Sequence, residues 1–253
     1  MSVSVKGDSK LRPLILAGGL GTRLRPRTNH LPKPLLPVAG KPLLWYAIHS
    51  VDGAGLMQPI VVVDYLRDLI RAYFDGSPVN FCDLPGRTMA QAVFEIAERD
   101  DADAFLGMSS DVLVPKKAVT RIVQLYRKSG GQDAVMFVRL TKPGHKKWEF
   151  CVEDGSLRDI KVKETKTDFE RVLLILNKKS LQAVRNLLPN PVQEGGLPNH
   201  LSTFQTGWIL LLKALLQAGI PIAAEIVDVP VCNINIASDF QTAEKFVRCE
   251  MNE

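Results

Sequence analysis

Residues 14–42 read LILAGGLGTRLRPRTNHLPKPLLPVAGKP, and the order of residue types within them decides the fold. The segment begins inside a short apolar run, Pro13–Ala17, that stops at glycines, a pattern that predicts a buried parallel strand. Gly18, Gly19 and Gly21 follow Ala17. Lacking Cβ atoms, they let backbone N–H groups close around a polyphosphate. Arg23, Arg25 and Lys33 supply countercharge, while Pro26, Pro32, Pro34 and Pro37 fix φ and hold the cations with less ordering cost on binding. The glycines are not followed by GK[ST] and do not keep the GxGxxG spacing, so neither the Walker loop nor the dinucleotide fingerprint is met.

Working outward, the charge distribution supports the same reading. The 253 residues carry 32 Lys and Arg against 27 Asp and Glu, a net charge of +5. Between Ser9 and Val51 there is no acidic residue, and seven basic ones fall there, which leaves 25 basic against 27 acidic elsewhere. One basic segment in a slightly acidic body indicates a site for a small anion. Nucleic acid is disfavoured as a partner because these cations are interleaved with glycines and prolines, not set along a helix or among stacking aromatics. With 46% hydrophobic and 23% charged residues the composition is that of a globular chain. No apolar run approaches the roughly 18 to 20 residues of a membrane span, and residues 1–10 are polar, so a cytoplasmic protein without membrane contact is expected. Cys82, Cys151, Cys232 and Cys249 form no CxxC pair and read as reduced and structural. His30, His49, His145 and His200 are scattered and suggest no catalytic set.

The rest of the first half alternates strand and helix. Helices are predicted at Leu43–Val51, Leu66–Phe74 and Met89–Arg99, and strands at Pro59–Val63, Val79–Cys82 and Ala104–Gly107, the last running into Met108-Ser109-Ser110-Asp111. Such alternation implies a parallel sheet covered on both faces, with ligands at the carboxyl ends of its strands. The second half predicts strands at Ala134–Leu140, Trp148–Val152, Leu157–Lys163 and Arg171–Leu176, with Asp154-Gly155 as a hairpin turn, and so an antiparallel addition to the sheet. Helices at Lys179–Leu188 and Ser202–Ala218, a strand at Ala223–Val229 and a helix from about Ser238 complete the chain. We expect one domain over 1–253, with residues 1–11 loose and a substrate-facing lobe at about 141–205.

The stretches Ala17-Gly18-Gly19-Leu20-Gly21-Thr22-Arg23-Leu24-Arg25-Pro26 and Pro32-Lys33-Pro34-Leu35-Leu36-Pro37-Val38-Ala39-Gly40-Lys41-Pro42 resemble the signature of the sugar-1-phosphate nucleotidylyltransferases, GGxGTRLxPLT followed by PKPLLPVxGKP. The resemblance implies a Rossmann-like three-layer α/β/α nucleotidyltransferase fold with a mixed, mainly parallel sheet. It implies the reaction NTP + sugar 1-phosphate giving NDP-sugar and pyrophosphate, and dimerisation would be usual for the family. Ala17, Gly18, Gly19, Gly21 and Thr22 would bind the triphosphate, Arg23 the departing pyrophosphate and Lys33 the α-phosphate. A sugar phosphate is already an oxyanion, so positioning and charge neutralisation suffice and no general base is needed.

The resemblance also implies Mg²⁺, held by Asp111 at the end of its strand and by Asn233 and Asn235 before the last helix, in Asn233-Ile234-Asn235-Ile236-Ala237-Ser238-Asp239. Asp83-Leu84-Pro85-Gly86-Arg87-Thr88-Met89-Ala90-Gln91-Ala92 stands where relatives read the base, with Asp83 in place of their Gln or Glu and Thr88 in place of a Gly. A carboxylate accepts from both N1–H and N2–H₂ of guanine, which favours GTP. On the sugar side, Val162-Lys163-Glu164 keeps the Lys of the family's EKP element, making Lys163 the candidate for the sugar phosphate. The strand Arg171–Leu176 lacks the usual Asn-Ala-Gly. Two other functions fit the sequence: a non-catalytic relative working in regulation or assembly, and nucleotidyl transfer to a non-sugar phosphate.

Overall fold

The computed structural model describes residues 10–56, 58–87, 89–131, 134–140, 149–161, 169–187, 204–227 and 229–251. Thr88, Lys163 and residues 141–148, 162–168 and 188–203 of the 141–205 lobe therefore lie outside the described residues.

β1 (Leu11–Leu16) leads into the glycine segment, which holds three short 3₁₀ turns at Thr22–Leu24, Arg27–Asn29 and Lys33–Leu35. β2 (Pro37–Val38) and β3 (Lys41–Pro42) form a small hairpin that delivers α1 (Leu43–Gly53). Then come β4 (Ile60–Val63), α2 (Arg67–Tyr73), β5 (Asn80–Asp83), α3 (Met89–Arg99), β6 (Ala104–Ser109), β7 (Val112–Leu113) and α4 (Lys116–Lys128). The second half contributes β8 (Ala134–Leu140), β9 (Glu149–Glu153), β10 (Ser156–Lys161), β11 (Phe169–Asn177), α5 (Lys178–Val184), α6 (Phe204–Gln217), β12 (Ile222–Ile226), β13 (Cys232–Asn233) and α7 (Asp239–Glu250).

Nine strands form one sheet in the order β5-β4-β1-β6-β11-β8-β12-β10-β9. The first-half strands pair in parallel, as expected from βα alternation, and β12 is also parallel to β8. The other pairings, β11 with β6 and β8 and β10 with β12 and β9, are antiparallel. β9 and β10 are joined by the anticipated turn, with φ of 49° at Asp154 and 69° at Gly155, both positive as the tight hairpin turn requires.

β1, β4 and β6 are buried on both faces, which explains why their sequences are continuous apolar runs. Leu14 and Leu16 pack under α3, α5 and α6, whereas Ile15 packs under α1, α2 and α4. The three-layer α/β/α architecture follows from that alternation. α4 was not anticipated, although its apolar residues Ala118, Val119, Ile122, Val123 and Tyr126 recur at helical spacing and are all buried. A third cluster joins α7 to the glycine-rich segment through Leu24, Leu36, Val38, Leu43, Ile234, Ala243 and Val247. Among the described residues no helix is long and apolar enough to cross a membrane, and none of the four cysteines forms a disulfide.

Candidate active site

The chain leaves β1 for β4 on one side and later returns to β6 on the other, so the strand order reverses beside β1. A crevice opens outside the carboxyl ends of strands at such a switch point. The glycine segment follows β1 there, and Asp111 follows β6, because Leu16 is in register with Ser109 and the Ser110 N–H donates to the Leu16 carbonyl at 3.1 Å.

Two glycines of the loop stand where a side chain would be crowded. A Cβ on Gly18 would stand 3.1 Å from Cβ of Asp64, at the end of the neighbouring strand β4. Gly21 has φ +62°, and a Cβ there would meet Thr28 Cγ2 at 3.0 Å and Lys33 Cβ at 3.1 Å. The turn is fastened from behind. The Thr28 hydroxyl donates to the Gly21 carbonyl at 2.9 Å, and the Tyr65 hydroxyl bridges the carbonyls of Thr28 and Asn29 at 2.9 and 3.0 Å. The next segment is held by Tyr46, whose hydroxyl donates to the Val38 carbonyl at 2.7 Å; burial pushes this phenol's pKa up. Neither tyrosine was singled out from the sequence, since nothing in local spacing announces a bond to a carbonyl so far away along the chain.

Lys33 and Asp111 meet in the crevice. Lys33 Nζ lies 2.6 Å from Asp111 Oδ2, and the side chains are only 12% and 18% exposed. Ser109 donates its hydroxyl to the other carboxylate oxygen, Oδ1. Arg23 donates from Nη2 to Asn235 Oδ1 at 2.9 Å. The segment bearing both asparagines is brought in by β13, whose Asn233 is in register with Val112, and the Ile234 N–H donates to the Asp111 carbonyl at 3.1 Å. The sequence-predicted Arg23, Lys33, Asp111, Asn233 and Asn235 thus gather at one end of the sheet with the glycine loop.

Asn233 Oδ1 is buried and has no hydrogen-bond partner. A buried oxygen left without a donor is costly, and a hard cation would satisfy it. Asp111 immediately precedes β7, the partner strand of β13, and a carboxylate together with an amide oxygen is donor chemistry that fits a magnesium ion that keeps several waters. Among the described residues no group of three or more His, Cys, Asp or Glu side chains could hold a metal, so any such site draws on amide and phosphate oxygens.

Asp83 ends the edge strand β5 and is engaged: Arg71 donates to its Oδ1 from Nε at 3.2 Å and from Nη2 at 2.6 Å, and Arg67 Nε lies 3.8 Å from Oδ2. The Arg71 guanidinium also lies 5.3 Å from the centroid of the Phe81 ring. Each carboxylate oxygen has two acceptor sites, so the arginines leave acceptor capacity on Asp83.

The model of the MobA-like NTP transferase domain matches residues 13–188. The chain belongs to this family. The MobA-like match begins in β1, whose loop builds the crevice, and extends through β11, so it contains the glycine segment, Lys33, Asp83 and Asp111. The glucose-1-phosphate thymidylyltransferase of Streptomyces griseus is 46% identical over 68 residues, 26% of this chain and 19% of that protein. A probable mannose-1-phosphate guanylyltransferase of Oryza sativa subsp. japonica is 24% identical over 143 residues, 53% of this chain and 39% of that protein. The MobA-like chain thus spans well under half the length of these curated relatives. Among solved structures, a putative glucose-1-phosphate thymidylyltransferase from Bacillus anthracis, in complex with a sucrose, matches with a TM-score of 0.75 at 16% identity, covering 94% of this chain and 96% of that one. At that identity the likeness concerns the fold, and it agrees with the Rossmann-like α/β architecture expected from the sequence.

Proposed function

We propose that the protein is a nucleotidylyltransferase that condenses a nucleoside triphosphate with a sugar 1-phosphate, and that its nucleotide is GTP. The observation that carries this reading is the meeting of Lys33 and Asp111 beside the glycine turn at the carboxyl end of β1. Nucleotidyl transfer requires cations around a triphosphate and an oxygen ligand for its metal, and the lysine and the carboxylate that meet there suit those two roles.

In the reaction a phosphate oxygen of the sugar 1-phosphate bonds to the α-phosphorus in line with the departing bridge oxygen. The α–β P–O bond breaks and pyrophosphate leaves with its electron pair. Because the nucleophile is already ionised, no side chain has to take a proton. The glycine N–H groups hold the triphosphate, Lys33 faces the charge growing on the α-phosphate, and Arg23 that on the leaving pyrophosphate. Mg²⁺, held by Asp111 and Asn233, would supply further positive charge to the phosphate oxygens.

The base reading rests on Asp83, which retains acceptor capacity beside its arginines, and is supported by the guanylyltransferase among the relatives. The test incubates the protein with Mg²⁺, each of the four NTPs and a panel of sugar 1-phosphates, following pyrophosphate. GTP is expected to give the fastest release, and Asp83→Asn to lower that preference. Preference for UTP or dTTP in the native protein overturns the base assignment. Absence of release in every arm, with thermal stabilisation by a nucleotide, overturns catalysis in favour of a nucleotide-binding regulatory or assembly role.

A further inference from the structure

Arg23 and Asn235 are 212 residues apart in sequence and are joined by a hydrogen bond. Asn235 is held in place locally. Its N–H donates to Asp239 Oδ2 at 2.6 Å, and the Ile236 N–H donates to the same oxygen at 2.9 Å, so the carboxylate that opens α7 fastens the turn in front of its own helix. A second contact runs alongside, with the Arg27 guanidinium 5.3 Å from the centroid of the Phe240 ring. Below both, Leu24 and Leu36 pack with Ile234, Ala243 and Val247. The glycine turn is therefore clasped by the C-terminal segment, and the clasp ends on the guanidinium of Arg23.

We infer that Asn235 is a positioning residue that aims Arg23 at the triphosphate, and that it is not a ligand of the metal. This departs from the expectation that Asn233 and Asn235 both bind Mg²⁺, and it rests on the reading in which Arg23 binds the departing pyrophosphate. The amide oxygen of Asn235 already accepts from a cation. A metal ion on that oxygen would have to displace Arg23 and remain beside its charge, and the neutral amide, unlike the Asp111 carboxylate that faces Lys33, brings no negative charge to offset the repulsion. The orphan oxygen in this segment belongs to Asn233 instead. Residue type supports the role: a neutral acceptor orients a guanidinium without cancelling the charge that a phosphate must meet, whereas a carboxylate would compete with the phosphate for it.

The test measures binding of inorganic pyrophosphate by calorimetry, with and without Mg²⁺, to the native protein, Arg23→Ala, Asn235→Ala, Asn235→Asp and the double variant, with thermal unfolding as a check of folding. Arg23→Ala and Asn235→Ala should each weaken binding about tenfold, as for loss of one charge-assisted hydrogen bond. The double variant should bind like Arg23→Ala alone, because the asparagine acts through the arginine. Asn235→Asp should bind pyrophosphate more weakly than Asn235→Ala without gaining Mg²⁺ affinity. If Asn235→Ala lowers stability, Asp239→Asn, which loosens the same turn, should weaken binding in the same direction. Native-like binding by folded Asn235→Ala, additive losses in the double variant, or Mg²⁺ affinity gained by Asn235→Asp overturns the inference. Native-like binding by Arg23→Ala refutes instead the pyrophosphate reading on which it rests.

Discussion

Lys33 Nζ lies 2.6 Å from Oδ2 of Asp111, a pairing of residues 78 positions apart at the junction of β1 and β6. Each is mostly shielded from water, so screening is weak and the pair fixes both side chains in the crevice. Lys33→Met and Asp111→Asn are each expected to lower pyrophosphate release by about a hundredfold or more, the scale for loss of a preorganised charge at a reacting group. Their combination should cost much less than the product of the single losses. Single-turnover rates at saturating nucleotide check this; unchanged turnover in either variant removes the pair from the chemistry.

Gly21 sets the loop geometry through a backbone conformation that side chains resist. At φ +62°, with Thr28 and Lys33 within about van der Waals reach of any Cβ, Gly21→Ala is expected to destabilise the fold by about 1–3 kcal/mol and to weaken nucleotide binding. Denaturant unfolding reads the first effect and nucleotide titration the second. Gly19→Ala is the control: a Cβ there meets nothing within 4 Å, so its effect on stability should be small.

Gly107 lies in the middle of β6 for a different reason. A Cβ at this position would overlap the Trp208 ring, with Cζ2 2.8 Å away, in a core where that tryptophan is 6% exposed. Gly107→Ala is expected to cost about 1–3 kcal/mol through overpacking. Gly107→Ala combined with Trp208→Phe should recover part of that loss, measurable as a shift in Tm.

The cysteines differ in reactivity. Burial pushes the Cys82 thiol up in pKa, with the Arg99 guanidinium opposing in the second place, whereas Cys249 is exposed. A raised thiol pKa means less thiolate at a given pH, so maleimide or iodoacetamide near pH 8 should label Cys249 well before Cys82. Mass spectrometry of a labelling time course tests the order, and the rate at Cys82 should rise only at higher pH.

Much of the fold was legible because it depends on local pattern. The apolar runs at β1, β4 and β6 marked strands buried on two faces. The helical spacing of MAQAVFEIAER gave α3 with its observed ends, Met89–Arg99, and Asp154-Gly155 gave the hairpin. α4 obeys the same spacing rule, with Ala118, Val119, Ile122, Val123 and Tyr126 on its buried face. At the candidate site, the glycines and cations of residues 14–42 were readable because they fall in one continuous segment.

By itself, then, the sequence determined the βα alternation and the strand-to-glycine turn of residues 14–21, and it singled out Arg23, Lys33 and Asp111, which the fold brings to one end of the sheet. Only the tertiary structure decided their partners: Lys33 with Asp111, Ser109 on the second oxygen, Arg23 on Asn235, and Asp83 shared with Arg71. The physical reason is range. Strand, helix and turn preferences are set by neighbours a few residues away, whereas a hydrogen bond between residues 78 or 212 positions apart exists only after the sheet order has brought their strands and turns together. The switch of strand order beside β1 is that decision, and it is there that the glycine turn meets Asp111 and the segment before α7.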